Sequence, residues 1–183
     1  IFVESVVRFE PGHGAGYGAQ DIPHVVCGPP SAGPPSTSSL DVLSLGVGGE
    51  IITSFGGLIV DGDGVDFIVW ENPFWIGGDP KNPYAELGEI SVSNDGLVWH
   101  TFPCDPGAVE GFDSGCAGWR PRQLVDVCTA EPSLMGGDGF DLSELGLNTA
   151  KFVRVRDLSE EGDAPAAGFD LDAIGVIHFE ETL

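Results

Sequence analysis

The sequence predicts an all-β fold: a single antiparallel β-sandwich with long loops and at most one or two short helical turns. Three observations predict it. Apolar residues fall in short runs with period-two alternation, the spacing of half-buried strands. Gly (28) and Pro (14) are spread between those runs, where they serve as turn residues. Helical periodicity is almost absent. At 183 residues and 42% hydrophobic, the chain can bury a real core, so 1–183 is read as one domain.

The elements follow in order. Residues 3–9 alternate weakly and open the chain as a strand. Residues 12–18 are glycine-rich, but no strand-to-helix context supports phosphate binding, so they read as a flexible loop. Residues 28–39 are rich in Gly, Pro and Ser; 1–39 as a whole is expected to pack on or beside the sandwich. Residues 50–55 form a short β-rich run. Residues 66–71 are strongly apolar and read as a buried central strand. Residues 89–93 alternate cleanly, with Ile90 and Val92 inward. Asn94-Asp95-Gly96 then turns the chain, and residues 97–102 return as the hairpin partner, with Trp99 in the core. In residues 151–157, Val153 and Val155 share a face opposite Arg154 and Arg156. Residues 171–179 suit another central strand. The clearest helical signal is one turn over residues 141–146, ending at Gly146.

Charge narrows the partners. Seven basic residues face 29 acidic ones, a formal charge of -22. Such a surface repels nucleic-acid phosphates and anionic lipid head groups. Two compatible readings follow: a solvated acidic surface, and carboxylates converging on divalent cations, which relieve their repulsion. No apolar run approaches the ~20 residues of a membrane span.

The four cysteines, Cys27, Cys104, Cys116 and Cys128, show no zinc or haem spacing. An even count favours two disulfides and an oxidising compartment, against the alternative of four reduced thiols. Of three connectivities, Cys104–Cys116 with Cys27–Cys128 is preferred, because the first closes a loop rich in Gly, Asp and Pro. The abrupt start at Ile1 reads as a mature product whose signal has been removed, or as a trimmed chain. Localisation is expected to be secreted or at the cell surface.

Four segments carry a family resemblance. Ile90-Ser91-Val92-Ser93-Asn94-Asp95-Gly96 leading to Trp99 resembles the central hairpin of discoidin-like, galactose-binding-like jelly rolls. Ala150-Lys151-Phe152-Val153-Arg154-Val155 is similar to a later strand of that family. Gly168-Phe169-Asp170-Leu171-Asp172-Ala173-Ile174 is similar to the final strand of its bacterial cell-surface members, as is Asp66-Phe67-Ile68-Val69-Trp70-Glu71-Asn72 to another of their segments. The resemblance implies a jelly roll of about eight strands, often with structural calcium and with loops at one end that bind sugars, lipids or proteins. Fold does not by itself settle function.

Two groups of acidic residues are candidate Ca²⁺ ligands. Asp61, Asp63 and Asp66 alternate with glycines, and calcium takes six to eight hard oxygens at flexible distances. The segment resembles the start of an EF-hand loop but departs from it, since the twelfth position is Asn72 and a strand follows. The alternative is a solvated Asp-Gly turn. The second group is Glu71, Asn72, Glu86, Asp138 and Asp172, sections that the resemblance brings to one end of the sandwich. A carboxylate such as Glu71, ending an apolar strand, is costly to bury unless paired or metal-bound. Asp170 and Asp172 have an alternative role, bonding to loop amides or to Arg154 and Arg156.

Trp75, Tyr84 and Trp119 are candidate ligand-binding rings, since loop aromatics beside polar groups stack on sugar faces. Capping the core is their alternative role. No nucleophile elbow, H-E-x-x-H or Walker loop occurs, and His13, His24, His100 and His178 are isolated. The expected function is therefore non-enzymatic: an extracellular calcium-binding recognition module for carbohydrate or another cell-surface component. The alternative is a self-associating structural subunit of a surface layer, adhesin or fibre. A calcium-dependent polysaccharide-degrading enzyme is a third, weaker reading.

Overall fold

The computed structural model describes residues 1–30, 40–72, 74–79, 83–108, 114–120 and 136–182. Two antiparallel sheets face each other. The larger runs β1 (Ser5–Glu10), β3 (Glu50–Val60), β10 (Thr149–Asp157), β7 (Gly88–Ser93) and β8 (His100–Thr101), with β12 (Phe179–Glu181) also paired to β3. The smaller runs β2 (Leu43–Ser44), β11 (Asp170–Val176), β4 (Phe67–Glu71) and β9 (Asp138–Phe140). A short ribbon, β5 (Phe74–Trp75) with β6 (Pro83–Tyr84), stands apart from both.

Alternation explains the sandwich. Ile90 and Val92 from β7, Val153 and Val155 from β10, and Ile51 and Ile59 from β3 turn inward from the larger sheet. Phe67 and Val69 from β4 and Leu171, Ile174 and Val176 from β11 meet them from the smaller sheet. Phe67 stacks on Phe140 at 5.3 Å and meets Phe102 edge-on at 5.9 Å, which fixes one end of this core. Strands β4 and β11 are central and almost wholly buried, as their apolar runs predict, but the run expected over 171–179 divides: β11 ends at Val176, and Phe179 opens β12 in the larger sheet. The outward residues of β4 and β11 are covered too: Ile68, Trp70 and Ala173 form a second small cluster with Phe2.

Helix is confined to α1 (Ile22–Val26) and 3₁₀ turns at Ile76–Gly78 and Leu142–Leu145 among the described residues. The last is the turn expected over residues 141–146: Asp141 accepts the Ser143 N–H at its start, and Gly146 ends it in the left-handed conformation.

Some local expectations are corrected. The return arm of the hairpin is only His100–Thr101; Leu97 and Val98 are exposed, because the Asp95 carboxylate accepts both of their N–H groups and holds them in a turn. Trp99 is half-buried outside the core, with the Arg154 guanidinium 4.6 Å over its ring. Residues 12–18 are tied down, not loose: His13 bridges to Val47, Ala15 to Ala166, and the Ser44 N–H donates to the Tyr17 carbonyl. Within 1–30, β1 extends the larger sheet and α1 packs against β11; residues 31–39 lie outside the described residues.

Cys104 and Cys116 form the expected disulfide, with an S–S distance of 2.09 Å. Cys27 is half-buried with no disulfide partner among the described residues, and Cys128, its expected partner, lies outside them. Among the described residues, no helix is long and apolar enough to cross a membrane.

Candidate metal-binding cleft

Glu71 is the last residue of β4, on the same side of the strand as Phe67 and Val69. Alternation therefore aims its carboxylate between the sheets, at the open end of the sandwich. Its cross-strand neighbour is Leu171, and Asp170 precedes Leu171 at the start of β11. Glu86 reaches the same place from the segment entering β7. Each of Glu71, Glu86 and Asp170 offers a carboxylate oxygen within 4.8 Å of the other two, a cluster that can hold a metal ion.

The electrostatics are unfavourable without one. Glu71 is only 3% exposed, and its Oε2 has no hydrogen-bond partner. Burial raises the Glu71 pKa well above the carboxylate range, the Asp170 and Glu86 charges add to this, and the backbone N–H groups of Asn72 and Asp170 oppose it. Burial, then the charges of Asp170 and Asp157, push Glu86 up to about 7. Burial pushes Asp170 to about 6; the Ser44 hydroxyl, which donates to Asp170 Oδ1, opposes this, and the Asp157 charge adds to it. No ion pair joins any of the three to a basic side chain among the described residues.

The cluster lines a cleft of about 310 Å³ whose walls include Tyr17, Asn72, Phe74 and Tyr84. A second cavity of about 670 Å³, lined by Glu161 and Asp163, shares Tyr84, Glu86 and Ala166 with it. Tyr84 is 47% exposed and stacks on Phe74 at 5.1 Å, placing an aromatic wall beside the carboxylates. Trp75 follows Phe74 on a two-residue strand, so its ring points away from the cleft, and it is not among the lining residues. Trp119 is also elsewhere: its indole N–H donates to Ser114 Oγ at 2.7 Å.

Other expected ligands have different roles. Asp138 is buried, and its Oδ2 accepts the N–H groups of Gly118, Trp119 and Arg120, while Arg120 donates to Oδ1 at 3.1 Å. Those bonds occupy the carboxylate, and Asp138 is not part of the cluster. Asp172 is buried at the bulge where β11 shifts register against β4, and it is not part of the cluster. Asp170 takes the place expected for it.

The first acidic group divides. Asp61 and Asp66 come together with Asp141, again within 4.8 Å, whereas Asp63 is exposed and apart. Asp66 is fully buried, but its oxygens are taken. Oδ1 accepts the Gly62 N–H at 2.8 Å and faces His178 Nδ1 at 2.7 Å; Oδ2 accepts the Leu142 N–H at 2.7 Å. This Asp66 latches three turns at one end of the sandwich. It has no orphaned oxygen, which sets it apart from Glu71.

Sequence reasoning missed Asp170, Tyr17 and Phe74. Asp170 was discernible as one of a pair with Asp172, but only the bulge decides between them. Tyr17 reaches the cleft because residues 12–18 are bridged to distant segments, for which the local sequence carries no signal. No protein-family model matches the chain, and no curated protein matches it.

Proposed function

We propose that this protein is an extracellular recognition module whose ligand site is built around Ca²⁺ held by Glu71, Glu86 and Asp170. The observation that carries this reading is the buried Glu71 carboxylate with an unpartnered oxygen, beside two further carboxylates in an open cleft. A buried, unpaired charge of this kind costs several kcal/mol unless a cation compensates it. The donors are all oxygens, which suits a hard ion, and their unequal reach from three segments suits the flexible coordination of calcium better than the strict octahedron of magnesium. Asn72 lines the same cleft and can add an oxygen.

Carbohydrate is the ligand class that fits the rest of the cleft. Three carboxylates leave calcium coordination positions open, and sugar hydroxyls can fill them. The Tyr84–Phe74 wall provides the flat apolar face on which a pyranose stacks. The disulfide is compatible with an oxidising compartment, and secretion or cell-surface display is the reading that accompanies it. The protein acts by binding, not catalysis.

The test is calorimetric titration with CaCl₂, followed by glycan-array screening in calcium and in chelator. Wild type is expected to bind calcium and Glu71→Gln not to, with array signals confined to the calcium condition. Equal calcium binding by both proteins would remove this cleft as the ion site; glycan binding that persists in chelator would separate the sugar from the ion.

A further inference from the structure

The Glu86 carboxylate accepts the Gly168 N–H, and the backbone that carries it, from Glu86 to Gly88, is covered by residues outside the cleft. Beyond β8, Phe102 continues along β7, its N–H donating to the Ile90 carbonyl. The chain then leaves the sheet at Cys104 and returns at Cys116, where the disulfide closes the excursion at its neck. Immediately afterwards Ala117 pairs with Gly88 through two reciprocal N–H to carbonyl bonds of 3.0 Å. Gly118 follows at φ +106, packed directly on the Glu86 carbonyl and the Leu87 backbone, where a Cβ would collide. The next anchor is Asp138, whose carboxylate gathers the N–H groups of Gly118, Trp119 and Arg120. Residues 116–120 thus form a strap laid over the backbone of Glu86 to Gly88. The disulfide fixes one end of it and a buried anion the other.

We infer that Asp138 and the Cys104–Cys116 disulfide are positioning elements of the ion site, which hold Glu86 against Glu71 and Asp170 by clamping the 116–120 strap across the entry to β7. This rests on the reading of Glu86 as a ligand. It also gives Asp138 a part in ion binding without its touching the ion. The affinity for calcium then depends on the redox state of a disulfide that is not in the cleft. Asp138 is the stricter of the two anchors, because three consecutive amides converge on it and no other buried carboxylate reaches them among the described residues.

The test compares oxidised wild type, reduced wild type, the Cys104→Ser/Cys116→Ser double variant, Asp138→Asn and Asp138→Ala. Near-UV circular dichroism establishes that each sandwich is folded, and reduced wild type serves if a variant does not fold. Two quantities are read: hydrogen exchange at the Gly88 and Ala117 amides in calcium-free buffer, and calcium affinity by calorimetry. Exchange at those two amides is expected to accelerate by about tenfold or more relative to Val92 and Val155 inside the sheet. Calcium Kd is expected to rise by about 10- to 100-fold, as when a group supporting a metal ligand is removed. Asp138→Asn should fall between wild type and Asp138→Ala, since its amide oxygen still accepts N–H bonds. Unchanged exchange at Gly88 and Ala117 would overturn the inference, as would acceleration spread evenly over the sheet. If wild type binds no calcium, the ion reading fails by itself. Exchange then judges only the strap's hold on residues 86–88, and where wild type does bind calcium, an unchanged Kd in the variants overturns the inference.

Discussion

Glu71 and Leu171 are direct cross-strand partners, and both side chains face the interior of the sandwich. A position that alternation reserves for an apolar side chain carries a carboxylate with one oxygen unpartnered. Such a residue weakens the ion-free fold, so Glu71→Gln, which removes the charge and keeps the shape, is expected to stabilise the protein in chelator by roughly 1–3 kcal/mol. Denaturant melts in EDTA check this. Destabilisation by the same amount would mean that the carboxylate is compensated within the protein.

The raised pKa values give a pH dependence whose sign is opposite to ordinary acid denaturation. Glu86 moves from 4.5 to about 7 and Asp170 from 3.8 to about 6, so each holds its proton more tightly folded than unfolded. Native protein then binds more protons than unfolded protein between about pH 4 and 7, and this contribution to stability falls as pH rises through that window. Below it both states are protonated and no penalty applies; above it the penalty is complete. Glu86 is partly in contact with water, which screens its share, so the loss is expected to be ~1–2 kcal/mol. The difference in stability between wild type and Glu86→Gln, followed from pH 4 to 8 in EDTA, isolates it from the other carboxylates. Saturating calcium should abolish the trend.

On the proposed reading the aromatic wall meets the sugar and not the ion, so its variants should affect the two differently. Tyr84→Ala is expected to lower glycan affinity by ~1–2 kcal/mol, about tenfold, while calcium affinity stays within twofold. Trp75→Ala should leave both unchanged, since its ring is on the other side of the ribbon. Paired glycan and calcium titrations of the two variants check this. A larger loss from Trp75 than from Tyr84 would place the sugar elsewhere.

Asp66 is a stability residue. Asp66→Ala removes the acceptor for the Gly62 and Leu142 amides and for His178, leaving buried donors unpaired, and is expected to cost ~3 kcal/mol. Chemical denaturation measures it. Calcium affinity at the Glu71 cleft should change little, because the Asp66 latch shares none of its residues.

Local pattern carried much of this fold. The runs around Phe67, Ile90, Val153 and Ile174 were legible because burial on one or two faces imposes its period on the sequence. The disulfide at Cys104 and Cys116 was legible from loop chemistry. At the cleft, Glu71 and Glu86 stood out as carboxylates flanking strands, while the third member did not. A bulge at Asp172 is a tertiary event, set by how β11 meets β4, and it exchanges the roles of two aspartates two residues apart. Asp138 has the same composition cues as a ligand; only the converging amides of residues 118–120 show that its oxygens are taken. Phe74 and Trp75 differ by the parity of a two-residue strand, which periodicity cannot resolve.

On the proposed reading a hard cation completes the Glu71, Glu86 and Asp170 cluster. The most direct measurement is thermal melting of wild type at pH 8 after verified metal removal, with and without calcium, beside Glu71→Gln. Free calcium at 100 to 1,000 times its dissociation constant should stabilise wild type by ~3–4 kcal/mol and leave Glu71→Gln near its chelator value. Superimposable wild-type curves with and without calcium would contradict it.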